Sequence, residues 1–380
     1  MREAVIIGTG MVPIGKRPET SLSALGYPAV LEALKDAGIE RSEVEAAWCG
    51  SAMSGMMAGQ RVLAPIGMSG IPIVNCENAC SSSATALNQA VLAIGSGAVD
   101  VALVFGVEKL SRLGGGTLPL DPDDADVAQG LNMPALYAMR ARRYLHDHGH
   151  SPADLGEVAV KARRHGALNP DAQLKGEVSL EAVMSSRMIA DPFTLFQCCP
   201  TGDGAAALIV ASASAARKWT SAGVSIAVSE LTSGRWTSGF RDMTIPEVTV
   251  RGAAEAYERA GIGPSDIDVA EIHDAFTIAE LLYYEAFGFA ARGGAVAALR
   301  SGATSLGGRI PVNPSGGLLS KGHPVGATGA LQIVEIVRQL QGRCGARQVE
   351  GARVGLAHAT GGGIAGFDHG ACAIHILRRS

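Results

Sequence analysis

Ala37-Gly38-Ile39-Glu40-Arg41-Ser42-Glu43-Val44-Glu45 decides how this 380-residue chain is read, because it returns 223 positions later as Ala260-Gly261-Ile262-Gly263-Pro264-Ser265-Asp266-Ile267-Asp268. Each copy reads as the end of a helix with a glycine stop, a short acidic stretch and then an apolar strand. A second echo keeps the same order. Ala84, Thr85, Gln89 and Val91 reappear as Ala327, Thr328, Gln332 and Val334, 243 positions on, inside segments with helical spacing of apolar residues. Offsets that differ by about one hairpin or loop fit a tandem duplication with extra length in the second half. On the second offset Cys80 falls opposite His323, so two chemically able residues open equivalent helices.

Outward from these repeats, strands and helices alternate. Strands are expected at Ala4–Val12, Ile71–Asn75, Val99–Gly106, Ala205–Ala211, Val269–His273 and Val354–Ala359, and helices at Ser21–Ala37, Ser82–Gly95 and Met133–His146. Residues 110–195 break the rhythm with a Gly114-Gly115-Gly116 run, an acidic run at Asp121–Asp126 and a basic, His-bearing patch. Such length inside an α/β half reads as an inserted loop subdomain. The expected organisation is an N-terminal half over residues 1–216, which includes that insert, and a C-terminal half over 217–380.

Composition narrows the class. Hydrophobic residues make up 47% and charged residues 18%, with a mean hydropathy of +0.20, so the chain must hide apolar surface by folding and is not disordered. The net charge of −4 comes without a basic stretch, which argues against nucleic acid as a partner. Glycine is abundant at 49 residues and lacks a G-X-Y period, while aromatics are only 4%. Tight turns and helices pressed closely on sheets follow from that balance. The longest apolar runs, such as Ala205–Ala211, are far short of a membrane span, and the start M-R-E-A-V-I-I-G-T-G runs directly into a strand pattern instead of a signal peptide. A cytoplasmic protein is the expectation, and most of the seven cysteines (49, 76, 80, 198, 199, 344, 372), without C-x-x-C or zinc spacing, read as buried small hydrophobes or free thiols and not as structural disulfides.

Four places carry chemistry. Cys80 lies in E-N-A-C-S-S-S-A-T-A-L, after a strand and ahead of a helix, where the helix dipole and free N–H groups would lower a thiol pKa and make a nucleophile; a buried structural cysteine is the other reading. His323 lies in N-P-S-G-G-L-L-S-K-G-H-P-V-G-A-T-G (313–329), whose glycines let backbone approach a ligand. A phosphate loop competes with that reading, but G-x-x-x-x-G-K-[ST] is absent. His273 opens H-D-A-F-T at a strand's C-terminal end, where α/β sheets bind ligands, although a core histidine fits too. The tail Ala357-His358-Ala359-Thr360-Gly361-Gly362-Gly363 offers either N–H groups for an oxyanion or a plain turn. H-D-H-G-H at 146–150 looks like a ligand run but sits in a polar helix end, and no metal is expected.

Together with C-P-T-G-D-G-A-A-A-L-I-V at 199–210, these ordered segments resemble the thiolase superfamily over essentially the whole chain. H-D-A-F and N-P-S-G-G-x-x-x-K-G-H-P are similar to the sterol-carrier-protein-type branch, here without a sterol-carrier domain. The resemblance implies a duplicated five-layer α-β-α-β-α fold and chemistry on coenzyme A thioesters, with CoA and acyl-CoA as substrates and no permanently bound cofactor. It implies that Cys80 is acylated, that His323 takes its proton and helps hold a thioester enolate oxygen, that His273 lines the same oxyanion site, and that the N–H groups of Cys80 and Gly361 hold the tetrahedral oxyanion. Family members carry a second cysteine as acid/base, at positions that are Ala359 and Ala275 here; His358 is the adjacent substitute.

Three functions follow as expectations. The leading one is a thiolase-type acyltransferase that cleaves 3-ketoacyl-CoA with CoA or condenses acyl-CoAs through Cys80. The missing second cysteine motivates an acyl-CoA retro-aldolase working with a small OB-fold partner, and also a non-catalytic thiolase-like subunit that binds CoA esters. Relatives of this kind imply a homodimer or homotetramer.

Overall fold

The computed structural model describes residues 1–220, 222–363 and 368–379. Its strands are β1 (Ala4–Met11), β2 (Ala46–Gly50), β3 (Ile73–Cys76), β4 (Val101–Lys109), β5 (Met188–Ala190), β6 (Phe193–Thr194), β7 (Asp203–Ser212), β8 (Val224–Thr232), β9 (Val269–Glu271), β10 (Val354–Gly361) and β11 (Ala371–Arg379). The helices that build the layers are α1 (Leu22–Ala37), α2 (Ser82–Ser96), α3 (Met133–His148), α4 (Pro152–Ala167), α5 (Glu247–Ala260), α6 (Thr277–Ala286) and α7 (Thr328–Leu340).

Strand order carries the duplication. The sheet runs β3-β2-β4-β7-β1-β8-β11-β10-β9, and β1 meets β8 through only two residue pairs, Val5 with Ser225 and Ile6 with Val224. Read inward from the far edge, β9-β10-β11-β8 repeats β2-β4-β7-β1, and Val312 bridges Ala270 in parallel where β3 lies beside β2 in the first half. The sheet folds back around α2 and α7, each of which packs on strands of both halves. Outside it, α1 covers the first half and α5 the second, which completes five α-β-α-β-α layers.

The echoed residues end equivalent helices. α1 is capped by Ser21, whose side chain accepts from the Ala24 N–H, and stops at Gly38 with φ 68°; α5 stops at Gly261 with φ 64°. Both are left-handed caps that only glycine adopts without strain. Close layer contact explains the glycine-rich, aromatic-poor composition: a Cβ on Gly10 of β1 would lie 2.1 Å from the Ala29 carbonyl oxygen of α1. The central helices touch as closely, and the Ser83 hydroxyl of α2 accepts from the Ala330 N–H of α7 at 2.9 Å.

Residues between β4 and β7 form the insert. α3 and α4 pack on α6 of the second half, and the β5–β6 hairpin joins them. Among the described residues no helix is long and apolar enough to cross a membrane. All seven cysteines are free thiols.

Candidate active site

The segment after β3 turns sharply. Ala79 takes φ 47°, a left-handed conformation costly for a residue with a Cβ, and local bonds hold it: the Asn78 N–H donates to Ser82 Oγ at 3.0 Å, and that hydroxyl donates to the Ala79 carbonyl at 2.6 Å. Cys80 therefore sits on the single 3-10 turn Ala79–Ser81 in front of α2, not inside the helix's own first turn.

The 313–323 loop forms the facing wall through buried carboxylates. Glu271, at the end of β9, accepts from the Ser315 N–H (3.0 Å) and hydroxyl (2.6 Å) and pairs with Lys321 Nζ at 3.2 Å. Asp274 accepts from the Leu318 N–H at 2.7 Å, and Asn313 Oδ1 accepts from the Ile272 N–H at 2.7 Å. Glu108 of β4 accepts from the N–H groups of Ala52 and Gly326, tying the first half to the stretch just after His323. Removing one partner of a buried pair strands the other charge. Glu271→Ala is expected to lower unfolding stability by about 3–5 kcal/mol, read from urea midpoints, with Glu271→Leu/Lys321→Met recovering part of the loss; an unchanged midpoint in the single variant would refute it.

These walls bring three of the expected residues together. One side-chain donor atom from each of Cys80, His273 and His323 lies within 4.8 Å of the other two. The imidazoles meet edge to face, with centroids 5.2 Å apart. His323 Nδ1 is bonded to Thr328 Oγ1 at 2.8 Å, which leaves Nε2 for the thiol, and the His323 N–H donates to the Pro200 carbonyl at 3.1 Å. His273 Nδ1 is buried without a hydrogen-bond partner among the described residues, a donor or acceptor open to a ligand. All three line a cavity of about 500 Å³, closed on the insert's side by Met133, Tyr137 and Arg187. A thiol and two imidazoles at this spacing are also a donor set that a soft divalent cation fits. The 146–150 histidines form no such group: His146 is exposed and paired with Asp147, while His148 packs tilted against Tyr144 and His150 stacks on it.

Electrostatics differ from the sequence expectation in one respect. The Cys80 thiol is not activated at rest. Burial, reinforced by the Glu108 charge, pushes its pKa up to about 12, against which the N–H groups of Gly362 and of Cys80 itself work. A helix-terminus field is outweighed when the sulfur faces a carboxylate and little water. Burial holds His323 down at about 4 and His273 well below its ordinary value, helped for His273 by the neighbouring His323. Neutral imidazoles thus face a neutral thiol, and the base must act at the moment of attack.

One further expectation changes. His358 does not reach the cavity. Its Nε2 meets Thr249 Oγ1 at 3.2 Å and its ring packs edge-on against Tyr283 (4.6 Å) and Phe287 (5.0 Å), behind the site. Gly361 ends β10 pressed on the Cys80 turn, and the amide that reaches the Cys80 sulfur is that of the next residue, Gly362. The cavity also contains residues to which the sequence assigned no role, namely Tyr137, Cys198, Cys199, Thr360 and His369. Cys199 lay in a recognised motif; nothing local marked Tyr137 or His369.

A duplicated α/β half that sets a half-buried thiol beside two imidazoles under an inserted lid is the architecture of enzymes that carry acyl groups on sulfur. The chain belongs to the thiolase family. Residues 4–214 match the family model "Thiolase, N-terminal domain" and residues 229–371 match "Thiolase C-terminal domain-like". It is 42% identical over 368 residues to the benzoylsuccinyl-CoA thiolase subunit BbsB of Thauera aromatica, covering 95% of each chain. It is 37% identical over 394 residues to an acetyl-CoA acetyltransferase of Methanothermobacter thermautotrophicus, covering both in full. The solved "Ltp2-ChsH2(DUF35) aldolase" superposes with a TM-score of 0.86 at 29% identity, over 99% of this chain and 98% of that one.

Proposed function

We propose that this protein is a thiolase-type acyltransferase that carries the acyl group on Cys80, cleaving 3-ketoacyl-CoA with CoA or condensing two acyl-CoAs. The observation that carries the reading is the convergence of one thiol and two neutral imidazoles within 4.8 Å in a substrate-sized cavity. His323 Nε2 takes the Cys80 proton as sulfur attacks the carbonyl. The N–H groups of Cys80 and Gly362 hold the oxyanion that forms on the acylated sulfur, and His323 with His273 holds the enolate oxygen of the second thioester. Lys16 and Arg187 on the cavity wall supply positive charge toward an anionic substrate. No permanently bound cofactor is needed for these steps, and CoA and its esters are the small-molecule partners.

The two thiolase halves are assigned to 1–216 and 217–380. A homodimer or homotetramer is supported by β3, a sheet-edge strand that leaves Val74 exposed and open to pairing with a second copy. The cytoplasm is the proposed compartment.

A retro-aldolase working with an OB-fold partner is the second reading. Ala275 and Ala359 in place of the second cysteine favour it, as does likeness to an aldolase solved with a DUF35 protein; the presence of Cys80, His273 and His323 weighs for acyl transfer. The relative named as a thiolase subunit makes a second subunit compatible with either reaction. Incubation with a panel of acyl-CoAs followed by intact mass spectrometry separates them. An acyl adduct that vanishes in Cys80→Ala supports the thiolase reading. Turnover of a 3-hydroxyacyl-CoA untouched by Cys80→Ala, with a copurifying second chain, would replace it, and binding without adduct or turnover would leave a scaffold subunit.

A further inference from the structure

Moving a proton at the carbon next to the thioester requires an acid/base, and positions 275 and 359 offer only methyl groups. The cavity provides another candidate. Tyr137 of α3 and His369 both line it, and the Tyr137 hydroxyl lies 2.9 Å from His369 Nε2. Behind the imidazole, Asp368 Oδ1 is 3.4 Å from His369 Nδ1 and forms a buried ion pair with Arg140, whose guanidinium sits 5.3 Å from the centre of the Tyr137 ring. The Tyr283 hydroxyl supports the Tyr137 oxygen and meets Thr360 Oγ1, on the cavity wall, at 3.2 Å. Tyr137, Arg140, Asp368 and His369 are each at most 4% exposed. Burying two full charges and two polar rings in one chain of contacts is expensive for packing alone, and this chain ends at the site where a proton donor is missing.

We propose that Tyr137, oriented by His369, is the acid/base that moves the proton at the α-carbon of the substrate. The assignment rests on the thiolase reading. With His369 Nε2–H donating to the phenol oxygen, the Tyr137 O–H is free to point into the cavity. In cleavage, Cys80 passes its proton to His323 and its sulfur bonds to the 3-keto carbon. The bond between that carbon and the α-carbon breaks, and its electron pair stays on the α-carbon as a thioester enolate. That carbon takes the Tyr137 proton, and the phenolate is held by His369 Nε2–H and the Arg140 charge. Once that product has left, the proton held on His323 passes through the cavity's solvent to the phenolate; the incoming CoA thiol then gives its proton to His323, its sulfur attacks the acyl-Cys80 carbonyl, and Cys80 leaves and takes that proton back from His323. One carbon–carbon and one sulfur–hydrogen bond are exchanged for one carbon–sulfur and one carbon–hydrogen bond, with no oxidant or reductant. Condensation is the reverse.

The full-length protein in D₂O with acetyl-CoA or succinyl-CoA separates the two half-steps. Intact mass reports acylation of Cys80, which needs no α-proton transfer; deuterium in the recovered acyl-CoA reports proton removal and return. Tyr137→Phe is expected to acylate at the wild-type rate while deuterium incorporation falls about 10²-fold or more. His369→Gln, which keeps a donor toward the phenol, is expected to acylate normally and to shift the pH profile of exchange with a smaller loss. Undiminished exchange in Tyr137→Phe would overturn the proposal. So would loss of acylation together with exchange, because Tyr137 would then be a packing residue. An unlabelled wild type would instead sink the thiolase reading, and this assignment with it.

Discussion

His323→Gln is expected to slow acylation of Cys80 at neutral pH by about 10²–10⁴-fold and to make what remains steeply pH-dependent. With its thiol held up at about 12 by burial and the Glu108 charge, Cys80 has almost no thiolate of its own at neutral pH, and thiolate is the attacking species. His323, held down at about 4 by burial, is an unprotonated base from roughly pH 5 upward. Its Nδ1 is occupied by Thr328, so the proton has one place to go. The sign follows from these two values. Wild-type acylation stays level from pH 9 down to about 5 and falls as pH drops through the His323 value. Without the base, the thiol must ionise unaided, and the rate climbs about tenfold per pH unit between 7 and 10. Glutamine keeps a side-chain amide toward Thr328, so the wall should hold its shape. Rapid-quench mass spectrometry across that range checks both slopes; a level profile in His323→Gln would show that another group removes the proton.

The architecture was readable because a duplication writes itself twice. Gly38 and Gly261 stop equivalent helices in the left-handed conformation, and the strands flanking them recur in one order in both halves. The positions of Cys80 and His273 were readable for a related reason, since each follows a strand and strand ends in such sheets converge, while His323 was marked by the glycine-dense segment around it. What sequence could not supply was depth. His358 and Thr360 share a face of β10, yet a two-residue step of about 6.6 Å along the strand puts Thr360 on the cavity and His358 behind Tyr283. Burial likewise reverses the expected sign at Cys80, reinforced by the Glu108 charge from β4, and both come from residues remote in sequence. Tyr137 and His369 are 232 residues apart, one in the insert and one just past the glycine turn, so no local pattern couples them.

Gly361→Ala and Gly362→Ala, neighbours in one glycine run, are expected to behave oppositely. A Cβ on Gly361 would lie 1.9 Å from the Asn78 carbonyl oxygen and 3.1 Å from the Ser81 nitrogen, both backbone atoms of the turn that carries the nucleophile. No rotamer relieves that contact, so β10 or the turn must move. The turn is already strained at Ala79 and is tied to β10 by the Ser81 hydroxyl, which donates to the Ala359 carbonyl at 3.1 Å. A shift on the order of 1 Å in a reacting group costs about 10²-fold in rate, and overpacking adds about 1–3 kcal/mol of instability. Gly361→Ala should therefore lose at least that much acylation and melt lower. Gly362 has φ 65° and only the Ala79 side chain near its missing Cβ, at 3.8 Å. Alanine there bears a left-handed strain of roughly 1–2 kcal/mol but keeps the N–H aimed at the sulfur, so stability should fall while acylation stays close to wild type. Melting curves and acylation rates for the pair decide the matter. A Gly361→Ala protein that acylates normally would mean the turn and β10 are not rigidly coupled, and a Gly362→Ala protein that fails to acylate would mean that its amide geometry, and not the seat beneath the turn, limits the oxyanion site.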